Sequence, residues 1–194
     1  QIDKLCDDYG TRSEKGKKKL NQIINQIKHT QKNKKYDCII GVSGGTDSSY
    51  LLMKACDWGL RPLAVHYDNT WNSAIASQNI SKITKDLNVD LYTHVVDNEE
   101  IDGIKLAYLK AGVAEFDGDT DLALSQVMRE ASSKFKVPYI FEGHSFLTEG
   151  ISPINGNYID GAYVKDIVDR YSNVDIKTYP LMTFWQFLKW IIIY

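Results

Sequence analysis

The segment from residue 36 to residue 56 limits the fold more than any other part of the chain. Residues 36–42 form a short apolar run rich in β-forming side chains, and they lead into a loop, residues 43–49, that contains two adjacent glycines. A strand shows a compact apolar run, whereas a helix shows a period of three to four residues. The segment therefore predicts a strand, a glycine loop and a helix, whose apolar positions are Leu51, Leu52, Ala55 and Cys56.

The same alternation repeats along the rest of the chain. Apolar, β-rich runs at residues 61–67, 89–96 and 138–141 predict further strands. Helical periodicity at residues 76–87 and 124–135 predicts helices between them. Strands joined by helices of this length pair in parallel through right-handed crossovers. The sequence therefore predicts an α/β fold in which a parallel twisted sheet carries helices on both faces.

The charged residues are unevenly distributed. The net charge is −2 and the pI is near 6.1, so the chain lacks the overall basic character of general nucleic-acid binders, and no nucleic-acid partner is expected. Residues 97–121 are mostly acidic, and residues 15–29 predict a basic amphipathic helix. We expect solvated helix faces in both segments. The apolar positions of the basic helix are Leu20, Ile23, Ile24 and Ile27.

The cysteines and the start of the chain give indications of the cellular compartment. Cys6, Cys38 and Cys56 are too few for a disulfide framework and show no metal-ligand spacing, which favours a reducing compartment. No signal-peptide pattern opens the chain, so we expect a cytoplasmic protein. The apolar run at residues 191–194 is far shorter than the roughly 20 residues of a spanning helix, and no membrane insertion is expected.

The glycine loop has the composition of a phosphate site. Gly44 and Gly45 permit close approach of a ligand to the backbone, and the predicted helix start directs unpaired N–H groups and a positive dipole end to the same place. Asp47 is suited to hold Mg²⁺. A glycine turn that merely caps a helix is the alternative. The loop is neither a Walker A sequence nor a dinucleotide fingerprint, because both spacings are absent.

Residues 43–49 resemble the signature of the PP-loop, or N-type, ATP pyrophosphatases. The resemblance implies an adenine nucleotide alpha hydrolase-like fold, ATP and Mg²⁺ as cofactors, and cleavage of ATP between its α and β phosphates. It also implies that Asp47 and Ser48 are catalytic and that the whole loop binds the nucleotide. The loop reads Ser43, Gly44, Gly45, Thr46, Asp47, Ser48, Ser49.

A longer set of residues is similar to the N-acetyl sugar amidotransferases of lipopolysaccharide, O-antigen and flagellin-sugar biosynthesis. The resemblance implies that AMP is attached to the acetamido oxygen of a nucleotide-linked sugar and that ammonia then gives an acetamidino group. A glutaminase and a cyclase-like partner would supply the ammonia. Family members have an N-terminal cysteine pair and a longer C-terminal region, and only Cys6 remains here. The similar segments are residues 36–40, 64–72, 90–97, 106–111, 120–121, 142–144 and 148–150.

Further residues are assigned to the site. Asp68 and Asn69 follow a predicted strand at its carboxyl edge, where α/β folds bind ligands, and with His66 they would bind the nucleotide. By the resemblance, Gly143 and His144 would also bind the nucleotide. Trp71, Asp121 and Glu149 would contact the substrate. Glu149 would also be a second magnesium ligand. Alternatives stay open: an Asx turn at Asp68, packing of Trp71, a hydrogen-bonded loop histidine at His144, and helix capping by Asp121, which is slightly favoured.

The domain boundaries follow from these patterns. Residues 1–35 are expected to form a basic helical lead-in, residues 36–180 the PP-loop ATP pyrophosphatase domain, and residues 181–194 the apolar start of a truncated C-terminal region. A tRNA-modifying thiolase is the rival enzyme, although Cys38 and Cys56 look structural. A nucleotide-binding protein without turnover is the other alternative. The particular sugar and the oligomeric state, with a homodimer as one option, stay open.

Overall fold

A computed structural model describes residues 2–11, 13–144 and 160–193 of the chain. Helices and strands alternate through most of it, as the sequence predicts. In chain order the elements are α1 Ile2–Tyr9, α2 Glu14–Thr30, β1 Cys38–Gly41, α3 Thr46–Asp57, β2 Pro62–Asp68, α4 Ala74–Asp86, β3 Leu91–Val95, α5 Asn98–Ala111, α6 Gly118–Phe135, β4 Ile140–Phe141, α7 Gly161–Tyr171 and α8 Phe184–Ile193.

The strands form one parallel sheet in the order β3-β2-β1-β4. Successive side chains of a strand point to opposite faces, and the central strands β1 and β2 are buried on both faces. Ile39 packs on one face against α5, α6 and α7, whereas Ile40 packs on the other against α2, α3 and α4. The prediction of a parallel sheet with helices on both faces is therefore confirmed.

The basic helix α2 buries less of its apolar face than its sequence predicts. Ile24 and Ile27 pack beneath the sheet, but Leu20 is 37% exposed and Ile23 is 41% exposed. The predicted helix is therefore confirmed, and only two of its four apolar positions lie in the core. Apolar spacing identifies one side of a helix, but the length of the neighbouring sheet decides how much of that side is covered.

The acidic segment forms α5 and the start of α6, and its charges are not all solvated. Glu100, Lys105 and Asp119 are buried. The expectation of a solvated face is wrong for these three residues, because each has polar partners within the fold. The Glu100 carboxylate accepts three backbone N–H groups from residues 177–179, and the Lys105 ammonium lies 2.8 Å from Asp119 Oδ1.

The strand order creates a topological switch point beside β1. The chain runs from β1 outward to β2 and β3, and then returns to place β4 on the opposite side of β1. Open α/β sheets bind ligands in the crevice at the carboxyl ends of the strands where the order reverses. The loop that contains the two glycines follows β1 and therefore lies at this crevice. Within the described ranges, every helix is too short or too polar to cross a membrane.

Candidate functional site

A cleft of about 340 Å³ opens at the carboxyl ends of β1, β2 and β4. Its walls come from the glycine loop, the end of β2, one face of α6 and the segment after β4. The lining residues are Gly41, Val42, Ser43, Gly45, Thr46, Asp47, Ser48, His66, Tyr67, Asn69, Asn72, Thr120, Leu124, Met128, Glu142, Gly143 and His144.

Two serines of the glycine loop hold it in shape. The Ser43 N–H donates to Ser48 Oγ at 3.2 Å, and the two hydroxyl oxygens also lie 3.2 Å apart. The Gly45 N–H points to Ser43 Oγ at 3.4 Å, and the Ser48 hydroxyl donates to the Gly45 carbonyl at 3.4 Å. Both hydroxyls therefore fix the loop backbone while they line the cleft.

The N-terminus of α3 has no side-chain cap. Its N-cap residue is Gly45, in extended conformation, and no side-chain hydrogen bond closes the helix start. By contrast, side-chain oxygens cap the first turns of α2, α4 and α5. The first N–H groups of a helix have no acceptor within the helix and lie at its positive dipole end. Because Thr46, Asp47 and Ser48 line the cleft, this first turn offers it an anion site.

The two glycines serve different purposes. Gly44 has φ +77, and a Cβ there would lie 2.8 Å from Ala76 Cα and closer still to the Ala76 carbonyl oxygen. Its own carbonyl accepts a hydrogen bond from Asn79 Nδ2 at 3.0 Å. Gly45 has φ −79, and a Cβ there would meet only Ser43 Oγ, at 3.4 Å. The fold therefore requires glycine at position 44. At position 45 the fold would accept a side chain, and glycine keeps the cleft open beside the start of α3.

The end of β2 brings His66 to the cleft wall. The ring is buried, and His66 Nδ1 lies 2.9 Å from the carbonyl oxygen of Val42. A carbonyl only accepts hydrogen bonds, so Nδ1 bears the hydrogen. In the neutral ring Nε2 is then an acceptor.

Beyond β2 the chain makes two Asx turns. Asp68 Oδ1 accepts the Thr70 N–H and Asn72 Nδ2, each at 2.9 Å, so the Asx-turn interpretation of Asp68 is confirmed. Asn69 Oδ1 accepts the Trp71 N–H at 3.2 Å. Asn69 and Asn72 line the cleft, whereas Asp68 supports the turn behind them.

The segment after β4 closes the cleft on its other side. A Cβ at Gly143 would lie 3.3 Å from the Asp47 carbonyl carbon and from the Ser48 nitrogen, so Gly143 packs directly on the start of α3. His144 Nε2 lies 3.9 Å from Glu142 Oε2, a distance at which a protonated ring forms an ion pair. Glu149 lies outside the described residues.

Two residues assigned to the substrate lie apart from the cleft lining. Trp71 is 51% exposed, and its indole N–H donates to Asp102 Oδ1 at 2.9 Å. Asp121 lies within the first turns of α6, which begins at Gly118 after the N-cap residue Asp117. The capping interpretation of Asp121 is therefore wrong, because the helix starts three residues earlier.

A second cleft of about 290 Å³ lies behind the glycine loop. Gly44 and Ser49 line this second cleft together with Asn79 and Lys82 of α4, while Gly45 and Thr46 line both. The structure thus divides the seven loop residues between two surfaces. All but Gly44 and Ser49 line the larger cleft.

Sequence reasoning missed several residues of the larger cleft. Tyr67 lies next to His66 in β2, and Thr120 lies next to Asp121. Strand alternation gave no signal for Tyr67, because it places the neighbours His66 and Tyr67 on opposite faces of the sheet. Their position at the carboxyl end of β2 is the signal that could have found both. Leu124 belongs to the apolar spacing that predicted this helix, and nothing in that spacing indicates that Leu124 or its neighbour Met128 lines an open cleft.

The cysteines show the environments of structural thiols. Cys38 is buried in β1, and burial raises its pKa to about 12. Burial also raises the pKa of Cys56. A high pKa leaves little thiolate, the nucleophilic form, at neutral pH. Within the described ranges, no three His, Cys, Asp or Glu side chains group closely enough to hold a metal ion.

No family model matches the chain. It is 30% identical over 137 residues to an uncharacterized protein, MJ1599, of Methanocaldococcus jannaschii, and the match covers 70% of the chain and 47% of that protein. The chain thus spans about half the length of the curated relative it matches.

Solved structures resemble the chain at lower identity. The NH3-dependent NAD synthetase from Campylobacter jejuni has 16% identity and a TM-score of 0.48, with 79% of this chain and 72% of that chain covered. The glutamine-dependent NAD+ synthetase from Acinetobacter baumannii, solved with adenosine diphosphate, has 18% identity and a TM-score of 0.50, with 76% of this chain and 30% of that chain covered. The second likeness, with the sheet order described above, confirms the predicted fold class: the chain has an α/β fold with a parallel sheet and helices on both faces, like that of this synthetase.

Proposed function

We propose that this chain binds ATP with Mg²⁺ in the larger cleft and transfers AMP to an amide-type oxygen of a second substrate, with release of pyrophosphate. The observation that carries the proposal is the uncapped first turn of α3, which faces the cleft from a glycine N-cap. A helix start of this kind stabilises phosphate through free N–H groups and the helix dipole.

The geometry of the cleft supports a nucleotide as the ligand. Its volume of about 340 Å³ lies within the range of roughly 300–1,000 Å³ found for small-molecule pockets. Its lining combines the polar glycine loop with the apolar side chains of Leu124 and Met128 on α6. A phosphate chain at the loop would leave an adenosine to extend along this second wall.

Asp47 is the described residue that would hold Mg²⁺. It lies in the first turn of α3 and lines the cleft. A magnesium ion bound to phosphates needs only one or two protein carboxylates, because phosphate oxygens and water complete its shell. One carboxylate beside the anion site fits that requirement, and the ion would neutralise charge on the departing pyrophosphate.

Within this proposal, the second substrate is an N-acetyl sugar nucleotide and ammonia is the nucleophile. The support is the resemblance of residues 64–72 and 90–97 to the sugar amidotransferases. An amide oxygen is a poor leaving group, and attachment of AMP makes it a good one, so that ammonia can then replace it. Bulk ammonia is mostly ammonium, which has no free lone pair. Delivery by a glutaminase and a cyclase-like partner would supply the neutral form.

The test is pyrophosphate release by the protein with ATP, Mg²⁺, an ammonium salt and a panel of N-acetyl sugar nucleotides. We expect sugar-dependent release that Asp47→Asn abolishes. Asp57→Asn is the matched control, since it makes the same charge change at the opposite end of α3, where Asp57 pairs with Lys54. Isothermal titration of MgATP accompanies the assay.

Each outcome has a distinct meaning. Absence of MgATP binding by the folded protein would refute the proposal altogether. Binding without release under any condition would favour a nucleotide-binding protein without turnover. Release that requires tRNA instead of a sugar would favour the tRNA-modifying alternative, against which the raised pKa of Cys38 argues.

A further inference from the structure

One side of α6 forms a wall of the larger cleft. Thr120, Leu124 and Met128 all line the cleft, and their spacing of four residues places them on the same side of the helix. Leu124 and Met128 are apolar, whereas Thr120 adds a hydroxyl group. A ligand that lies along α6 therefore meets an apolar strip with a hydroxyl at one end.

The two ends of this wall lie differently with respect to the glycine loop. Met128 lies at the base of the loop, because a Cβ at Gly41, where β1 ends, would be 3.5 Å from Met128 Sδ and Cε. Thr120 lies about 12 Å away along the helix axis, at a rise of about 1.5 Å per residue. This distance is comparable to the extent of a nucleoside from its 5′ oxygen to the far edge of a purine.

Two charged side chains hold the Thr120 hydroxyl. The ammonium of Lys105, which is 2% exposed, donates to Thr120 Oγ1 at 3.2 Å. The Thr120 hydroxyl donates its hydrogen to Asp117 Oδ1 at 2.8 Å, and Lys105 Nζ lies 2.7 Å from the same oxygen. The three groups thus form a closed triangle of hydrogen bonds at the start of α6. Asp119 Oδ1, 2.8 Å from Lys105 Nζ, anchors the ammonium on its buried side.

This triangle fixes the polarity of the hydroxyl. A threonine hydroxyl has one hydrogen and two lone pairs. An ammonium group only donates and an ionised carboxylate only accepts, so Asp117 takes the hydrogen and Lys105 takes one lone pair. Among the described residues, no second side chain donates to Thr120 Oγ1, and one lone pair remains for a ligand in the cleft. The hydroxyl therefore offers the cleft an acceptor that cannot turn into a donor.

We propose that Thr120 selects adenine among the purine bases by accepting a hydrogen bond from its 6-amino group. The inference rests on the proposed function, in which the phosphates lie at the glycine loop and the nucleoside extends along α6. Position 6 lies on the purine edge remote from the ribose. Adenine has a donor there, whereas guanine has a carbonyl oxygen, which would face the Thr120 lone pair with no hydrogen between them. A buried polar contact without its hydrogen bond costs free energy, so GTP is disfavoured.

The first test is calorimetric titration with MgATP, MgGTP and the magnesium complex of purine riboside 5′-triphosphate, which has only hydrogen at position 6. ATP should bind the unchanged protein more tightly than either analogue. Thr120→Val keeps the shape of the side chain and removes the acceptor. It should weaken MgATP binding about 2- to 10-fold, as expected for one hydrogen bond, without a matching loss for the purine riboside analogue. Thr120→Ser retains the hydroxyl and should restore the preference for ATP.

A second variant tests the polarity of the hydroxyl. Asp117→Ala removes the acceptor of the Thr120 hydrogen, which can then turn to the cleft and donate to the guanine oxygen. The Asp117 side chain is 74% exposed and makes no capping hydrogen bond to α6, and Lys105 keeps its contact with Asp119. We expect the ratio of GTP affinity to ATP affinity to rise about 2- to 10-fold. Loss of packing would weaken both nucleotides together and could not produce this gain.

The outcomes separate this inference from the proposed function. Equal affinities of the unchanged protein for MgATP and MgGTP would overturn the role of Thr120. So would a Thr120→Val protein that loses ATP and the purine riboside analogue equally, because the effect would then be one of shape. Melting temperatures show whether each variant is folded, and if the Val variant is not, Asp117→Ala decides.

Selective ATP binding without pyrophosphate release would refute the proposed transfer of AMP and leave the role of Thr120 intact. Absence of binding of all three nucleotides by the folded protein would refute both.

Discussion

Alanine substitution at the two adjacent glycines separates the requirements of the fold from those of the ligand. At Gly44 the backbone is left-handed, with φ +77, and a methyl group would overlap the Ala76 backbone. The left-handed conformation alone costs an L-residue about 1–2 kcal/mol, and the overlap with backbone adds to it. We expect Gly44→Ala to lose on the order of 3 kcal/mol. For a chain of this size that lowers the Tm by roughly 6–12 °C.

At Gly45 the expectation is the reverse. Its backbone angles, φ −79 and ψ 170, are open to alanine, and the nearest atom to the added methyl is Ser43 Oγ at 3.4 Å. The stability should change by less than about 1 kcal/mol. The methyl would, however, lie at the uncapped start of α3, where a phosphate must approach the N–H groups. Loss of one hydrogen bond to a charged ligand weakens binding about 10- to 100-fold.

The assay combines thermal unfolding with calorimetric titration of MgATP on both variants and the unchanged protein. The reasoning predicts a stable Gly45→Ala protein with weak MgATP binding and a less stable Gly44→Ala protein. A folded Gly45→Ala protein that binds MgATP with unchanged affinity would refute the assignment of this helix start to phosphate. An unchanged Tm for Gly44→Ala would refute the close packing on α4.

Three further predictions concern the buried charges and the core thiol. Arg61→Met leaves the buried carboxylate of Asp37 without its 2.6 Å ion pair, and urea unfolding should show a loss of about 3 kcal/mol. Glu100→Gln removes the carboxylate that holds the segment between α7 and α8. Amide exchange there should accelerate, whereas the exposed Glu99→Gln leaves it unchanged. The pKa of Cys38 is raised from 9.0 to about 12, so the folded state retains a proton that the unfolded state releases. The contribution of the protonated Cys38 thiol to the free energy of unfolding is complete below pH 9. It then falls by about 1.4 kcal/mol per pH unit up to about pH 12. The free energy of unfolding of Cys38→Ala, measured over the same pH range, should lack this fall.

The predictions from sequence succeeded where structure depends on near neighbours. The apolar run before the glycine loop lies in β1, and the helical period after the loop lies in α3. The loop could be recognised because close backbone approach, hydroxyl donors and a helix start are encoded within seven consecutive residues. The parallel order then placed His66, Asn69, Gly143 and His144 at the same cleft, as the strand ends implied.

The sequence by itself determined the alternation of strands and helices and the position of the anion-binding loop, because side-chain period and glycine placement are local properties. Only the tertiary structure decided which charges are buried. Glu100 meets its partners about 77 residues later in the chain, and Lys105 meets Asp119 on another helix. The same dependence explains why Tyr67 was missed. A tyrosine in an apolar run looks like a core residue, and its place in the cleft lining depends on how the surrounding elements pack.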